Sequence, residues 1–218
     1  PITFILKKKK NSKIHSSARA GLNTVGVRFP KHKIVRSILK KIKYPLAMPS
    51  ANKSTSVSPV SSEDVYEEFK KKISLILDGG KCKIGIESTV VDLTNNPKIL
   101  RPGIINKDII EKALKLKISN INHHKKNRSP GMMKKHYSPG IPVLINQKKY
   151  DGKSAFIYLG GKYKNKKNFF SLSKNSSLDK AAANLYKIFR IIKKNGYKKI
   201  QISKIPNIGS GIAINDRI

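Results

Sequence analysis

The sequence predicts an α/β protein built in two successive parts. β-Branched runs alternate with amphipathic stretches of helical spacing up to residue 119, and the same alternation resumes after residue 141. Between them apolar periodicity disappears: Asn, His, Lys, Ser, Pro and Gly dominate 120–141, the composition of a linker. The expected domains are therefore 1–119 and 142–218, joined by 120–141.

Each element has a local reason. Thr3–Lys8 and Thr24–Phe29 carry β-branched residues in near-alternation and read as strands. Pro30 opens a helix over Lys31–Lys43, with Ile34, Ile38 and Ile42 on one face and lysines on the other. Leu46–Ala51 returns to strand character before a polar loop at Ser50–Ser62. Ser61, with Asp64 three residues on, has the form of a helix N-cap; Val65, Phe69, Ile73 and Ile76 then line a helix that Gly79-Gly80 ends. Ile84–Leu93 and Lys98–Leu100 are predicted strands, and Lys107–Lys115 a short amphipathic helix. Beyond the linker, Val143–Ile145, Ser154–Leu159 and Lys199–Ile205 read as strands. Leu178–Lys194 has the clearest helical stripe, Ala182, Leu185, Phe189 and Ile192, with Gly196 placed to stop it; Gly209-Ser210-Gly211 leads into a last helix.

Composition excludes several classes. No apolar run is long enough to cross a bilayer. The single cysteine, Cys82, excludes an internal disulfide framework and points to a reducing, cytoplasmic setting. The formal net charge is +35, from 47 basic and 12 acidic residues, a field that attracts polyanions. Yet only seven of the basic residues are arginine, the side chain suited to planar recognition of phosphate, so the charge reads first as a solvated lysine coat. His123-His124 lies among lysines and asparagines without cysteine or acidic neighbours, which is poor metal-site chemistry. Cys82 has no base beside it in sequence, Asp78 reads as a turn residue, and no Gly-x-x-x-x-Gly-Lys phosphate loop occurs.

Four polar clusters fall at predicted strand ends, where α/β folds place ligands. Arg28 closes Asn23-Thr24-Val25-Gly26-Val27-Arg28; its fork suits a carboxylate, while an edge-strand arginine facing water fits equally well. Pro49-Ser50-Ala51-Asn52-Lys53-Ser54, with Ser58-Pro59 behind it, offers short uncharged donors for phosphate or ribose oxygens, or is an ordinary serine-rich connector. Glu87, Ser88 and Thr89 stand consecutively in an otherwise apolar run, which is costly without a ligand or a hydrogen-bond network. Arg101 is fixed at a strand end by Pro102-Gly103. Together they describe a pocket rich in donors and poor in general bases, suited to a phosphoanhydride and a carboxylate.

The order of these clusters carries a resemblance. Thr24-Val25-Gly26-Val27-Arg28, Pro49-Ser50-Ala51-Asn52, Ile76-Leu77-Asp78-Gly79-Gly80, Glu87-Ser88-Thr89-Val90-Val91-Asp92 and Ile99-Leu100-Arg101-Pro102-Gly103 resemble the motif series of the YrdC-type L-threonylcarbamoyladenylate synthases. Ser129-Pro130-Gly131-Met132 and His136-Tyr137-Ser138-Pro139 are similar to the linker of the two-domain members, and Gly211–Ile218 to the end of their second domain.

The resemblance implies part of a YrdC-like α/β domain, a linker and a small Rossmann-like C-terminal domain. It implies an enzyme that joins L-threonine, bicarbonate and ATP into threonylcarbamoyl-AMP with release of pyrophosphate, for N6-threonylcarbamoyladenosine at tRNA position 37. The carboxylated threonine amine would attack the α-phosphorus, with Mg2+ on the triphosphate. Tyr137 would reach from the linker over the nucleotide. Carried over by motif, Arg28, Met48 (through its backbone) and Ser88 would hold threonine, and Thr24, Ser50, Ser58, Arg101 and Tyr137 would meet ATP. The mechanism expected is positioning and charge stabilisation, with no covalent nucleophile. The tRNA or the downstream tRNA-modifying transferase is an expected partner.

The chain departs from the family pattern in three places. The upstream part, with its lysine/arginine nucleotide motif, has no counterpart, and Pro1-Ile2-Thr3 aligns with an interior strand, which predicts a preceding segment. Thr55 stands for a usual glycine, and Val60 for a usual threonine. The competing readings are a basic RNA-binding module without catalysis, an inactive fragment, and a carbamoyl-transfer domain of the hydrogenase-maturation type, against which the linker and second domain argue.

Overall fold

A computed structural model describes residues 2–54, 56–119, 137–163 and 166–218. The expected linker 120–141, its Ser129–Met132 motif, His123-His124 and Thr55 lie wholly or largely outside these residues. The chain forms two compact units: Pro1–Pro49 with Ser88–Met132, and Ser50–Glu87 with Met133–Ile218. Compactness therefore cuts across the sequential order of the predicted domains, because the stretch 50–87 packs with the C-terminal half.

In the first unit β1 (Ile2–Lys7) lies between antiparallel β2 (Thr24–Phe29) and parallel β3 (Thr89–Asp92), and β4 (Lys98–Arg101) pairs antiparallel with β3. Alternation decides the faces. Ile2 and Phe4 of β1 join Val91 and Ile99 in a cluster closed by Ile110 of the helix Lys107–Leu114. Thr3 and Ile5 point the other way, and the register sets Arg28 opposite Thr3, Gly26 opposite Ile5 and Thr24 opposite Lys7. Thr24, Gly26 and Arg28 thus share the face of Thr3. A Cβ on Gly26 would stand 3.4 Å from Ile5 and 3.7 Å from Thr3, so this glycine keeps the middle of that face low. The helix α1 (Lys33–Lys41) carries no buried residue.

The second unit holds a four-stranded sheet in which every pairing is parallel. Its members in chain order are β5 (Val143–Leu144), β6 (Ala155–Tyr158), β7 (Phe169–Ser171) and β8 (Ile200–Ile202), arranged β5-β8-β6-β7. β6 and β8 are buried at every position, as parallel strands covered by helix require. The cover includes the 17-residue helix Leu178–Lys194, capped by Ser177, whose hydroxyl accepts from Lys180 N; its stripe Ala181, Ala182, Leu185, Tyr186, Phe189 and Ile192 faces the core. The short helix Ser210–Asn215 packs beside it.

Residues 50–87 attach to this body through side chains, a parallel backbone bridge between Ser56 and Ser138, and the close approach of one glycine. α2 (Ser62–Phe69) starts at Ser61, whose hydroxyl accepts from Asp64 N, while Asp64 accepts from Val60 N. Arg190 reaches Asp64 and Glu68 at 3.7 Å and donates to the Val57 carbonyl at 2.8 Å. Gly85, at φ +73°, lies so close to the long helix that a Cβ would fall 2.3 Å from the Ala183 carbonyl oxygen.

With α1 and α2 already placed, the helices of 107–114, 178–194 and 210–215 are α3, α4 and α5. α3 and α4 follow the sequence expectation to within a residue. Several elements differ, α1 and β8 being shorter than expected at both ends. The helix expected to run to Ile76 stops at Phe69, with one 3-10 turn at Lys70–Lys72: Lys70 turns to φ 49°, which a right-handed α-helix cannot run through. Leu46–Ala51 is not a strand. Ile84–Leu93 pairs only over Thr89–Asp92, because Gly85 bends the chain onto α4. β7 was not expected; Phe169-Phe170-Ser171 is short and carries no alternation.

Candidate functional site

Four side chains of the first unit form a continuous hydrogen-bonded chain. Arg28 of β2 donates through Nε to Thr3 Oγ1 at 3.0 Å. Thr3 and Ser88 share a hydroxyl–hydroxyl bond of 2.9 Å. Arg101, at the end of β4, donates to the Ser88 carbonyl through Nε at 3.1 Å and Nη2 at 3.0 Å, and through Nη2 to the Ser88 hydroxyl at 3.3 Å. Strand pairing explains the convergence. β1 sits between β2 and β3, so Thr3 faces Arg28 on one side and meets the residue before β3 on the other.

The two arginines differ in setting. Arg101 is 4 % exposed, and its guanidinium is held by the Ser88 backbone, as a buried cation requires. Arg28 lies on the edge strand and is exposed, so the edge-strand placement holds for it. Its Nε is tethered to the Thr3 hydroxyl. Along β2, Thr24 lies four residues from Arg28 on the same face, roughly 14 Å away at strand rise. Met48 is an exposed residue of this unit, outside any helix or strand.

The remaining candidates belong to the second unit. Ser50 is exposed. Ser58 donates to Glu87 Oε1 at 2.7 Å. Tyr137, at 3 % exposure and φ +59°, sits in that unit's core, stacked on Tyr186 (ring centroids 5.9 Å, 24°) and under the Arg217 guanidinium at 4.8 Å. Glu87 is the hub of this group: its Oε2 also accepts from Tyr186 Oη at 2.9 Å and from Arg217 Nε at 2.9 Å. Burial, then the Glu87 charge, pushes the Tyr186 phenol far above its ordinary pKa, so it remains a donor. Burial works against the Arg217 charge, but Glu87 first and then Tyr186 and Asp216 outweigh it and raise its pKa.

The Glu87-Ser88-Thr89 run thus has the hydrogen-bond network its position demanded, divided three ways. Glu87 serves the second unit, Ser88 the Arg28–Thr3–Arg101 chain, and Thr89 donates to the Ile105 carbonyl at 2.8 Å. Sequence reasoning missed Thr3, read only as a strand residue, and Tyr186, read only as helix. Tyr186 was visible as the one polar-tipped residue on a buried stripe. Thr3 became visible only with the register. Asp78 is the turn residue expected, accepting from Gly80 N at 2.9 Å. Burial pushes the Cys82 thiol up, which disfavours a nucleophilic thiolate. Among the described residues, no group of three or more His, Cys, Asp or Glu could hold a metal ion, and no helix is long and apolar enough to cross a membrane.

Comparison with known proteins covers both halves. A family model of the Sua5, YciO and YrdC proteins, described as "Telomere recombination", matches residues 1–103, and the model "Threonylcarbamoyl-AMP synthase, C-terminal domain" matches 105–218. Threonylcarbamoyl-AMP synthase of Pyrococcus abyssi is 32% identical over 100% of this chain and 69% of its own length. That of Bacillus subtilis is 30% identical over 100% and 68%. The crystal structure of P. abyssi Sua5 complexed with L-threonine superposes with a TM-score of 0.84 at 31% identity, covering 99% of this chain and 68% of that one. A hydroxyl–guanidinium chain on a mixed sheet, and two family models that meet end to end along the sequence, lead to one conclusion: the chain belongs to the threonylcarbamoyl-AMP synthase family.

Proposed function

We propose that this chain is an L-threonylcarbamoyladenylate synthase, a nucleotidyltransferase that forms threonylcarbamoyl-AMP and pyrophosphate from L-threonine, bicarbonate and ATP for tRNA modification. The observation that carries the reading is the Arg28–Thr3–Ser88–Arg101 chain, which gathers two guanidinium groups and two hydroxyls on one sheet without a base or nucleophile among them. Such a set binds and orients; it does not attack.

In this reading Arg28 grips the threonine carboxylate with its exposed fork, Ser88 and the Met48 backbone complete the amino-acid contacts, and Arg101 fixes Ser88 from behind. Thr24, Ser50, Ser58, Arg101 and Tyr137 are given to ATP, Arg101 and Tyr137 presenting little surface to it at 4 % and 3 % exposure, and the low ground at Gly26 leaves room between Arg28 and Thr24. The threonine amine forms an N–C bond to bicarbonate as a C–O bond breaks and water leaves, giving a carbamate. A carbamate oxygen then attacks the α-phosphorus as the bond to pyrophosphate breaks, and rate comes from holding these groups in line while positive charge meets the phosphates. Mg2+ belongs to the substrate, carried on the triphosphate oxygens. The product's mixed anhydride suits transfer to adenosine 37 of tRNA, and the lone cysteine suits a cytoplasmic setting.

The test is pyrophosphate release as a function of threonine and bicarbonate. Dependence on both is expected. Arg28→Ala should raise the threonine KM about ten- to hundredfold, the range for losing hydrogen bonds to a charged group. Release indifferent to threonine would defeat the reading.

A further inference from the structure

Ser58 and Tyr137, both assigned above to ATP, are held by one buried ion pair that no step of the reaction uses. Glu87 accepts from Ser58 Oγ on Oε1, and from Tyr186 Oη and Arg217 Nε on Oε2. Arg217 has a fully buried side chain, pairs also with Asp216, and lies over the Tyr137 ring. Tyr186 stacks on that same ring. Gly85 and Ile86 press the segment before Glu87 against α4 and the core, so the carboxylate has a defined place.

The direction of the Ser58 bond has a chemical consequence. A carboxylate only accepts, so the one hydroxyl hydrogen of Ser58 is committed to Glu87. What half-buried Ser58 presents outward is lone pairs. A bare phosphoryl oxygen offers no hydrogen to them and would be repelled.

We propose that Glu87, locked by Arg217 and Tyr186, is a positioning residue that turns Ser58 into a hydrogen-bond acceptor, so that Ser58 recognises an N–H or O–H of the nucleoside and not the phosphate chain. The proposal rests on the ATP reading above and deepens it. It divides the nucleotide contacts: the nucleoside is read by an acceptor in the second unit, while the phosphates rely on other donors.

The experiment measures binding by calorimetry on the full chain, with ATP, inorganic tripolyphosphate, 2′-deoxy-ATP, 3′-deoxy-ATP and inosine triphosphate as probes. Ser58→Ala should weaken ATP about three- to tenfold, the range for one neutral hydrogen bond, and leave tripolyphosphate unchanged. One of the three nucleotide analogues should bind the wild type as weakly as ATP binds Ser58→Ala, with no further loss in that variant. Tyr186→Phe keeps the ring stack and removes one donor; Glu87→Gln keeps the shape and can turn its amide toward Ser58. Each should weaken ATP in the wild-type background and have no added effect in Ser58→Ala, and threonine affinity should not move. A structural role alone would give additive losses and would move threonine as well. Should Glu87→Gln fail to fold, Tyr186→Phe carries the same cycle. Equal loss of tripolyphosphate and ATP in Ser58→Ala, or additive losses, overturns the proposal and leaves the enzyme reading standing. A wild type that binds threonine but no ATP overturns both.

Discussion

In the proposed function Thr3 is the residue on which the amino-acid side of the site turns, because its hydroxyl touches both Arg28 and Ser88. Thr3→Val preserves shape and β-propensity but removes that bridge. We expect it to weaken threonine binding about three- to tenfold, with Thr3→Ser close to wild type, measured by calorimetry. Gly26 offers a complementary case. Its Cβ would meet only ordinary van der Waals neighbours, so Gly26→Ala should fold with unchanged stability, while a larger side chain there would fill the ground between Arg28 and Thr24. Legibility differs sharply among these residues. Arg28, Ser88 and Arg101 announced themselves as charges or hydroxyls in apolar runs, where physical cost implies a partner. Thr3 did not, because threonine is an unremarked strand former, and only strand register revealed what it faces.

Two tight spots matter among the elements. Gly85 and Gly152 both have positive φ, yet a Cβ at Gly85 would strike the Ala183 carbonyl of α4, whereas one at Gly152 would meet nothing within 4 Å. Gly152→Ala should cost about 1 kcal/mol of backbone strain. Gly85→Ala should cost at least about 2 kcal/mol, a melting temperature lower by roughly 4–8 °C, read by thermal unfolding. The loop before β6 supplies a pH test. Asp151 accepts from Lys199, then from Ser154 and Lys153, and these bonds hold its carboxyl well below the usual carboxylate range. A depressed folded pKa contributes stability that is present above the unfolded value, about 4, and lost as pH falls through the folded one. Asp151→Asn should therefore lower the melting temperature at neutral pH and flatten its fall below about pH 4. Element prediction was strongest where one periodicity ruled, as in α4, whose caps and stripe agree. It failed where a positive φ overrode the pattern, at Lys70 and Gly85.

Across the whole chain the +35 charge and the specific site act on different scales. RNA homopolymers of unlike sequence should bind alike, losing roughly a thousandfold or more in affinity between about 50 and 200 mM salt. Threonine affinity, which the proposed function assigns to contacts with Arg28 and Ser88, should change far less over that range. Sequence order suggested two beads on a string, and the α/β class of each was legible from alternation alone. The interleaving was not, since nothing in residues 50–87 marks Glu87 as belonging with Tyr186 and Arg217, the latter 130 positions later. That separation has a consequence for biogenesis. On a ribosome adding about 5–20 residues each second, Glu87 would wait roughly 6–26 s for Arg217 to emerge. Throughout that interval a carboxylate bound for a buried place has no cation to meet it, so the nascent segment 50–87 should stay open to proteases and chaperones until the downstream half has been made.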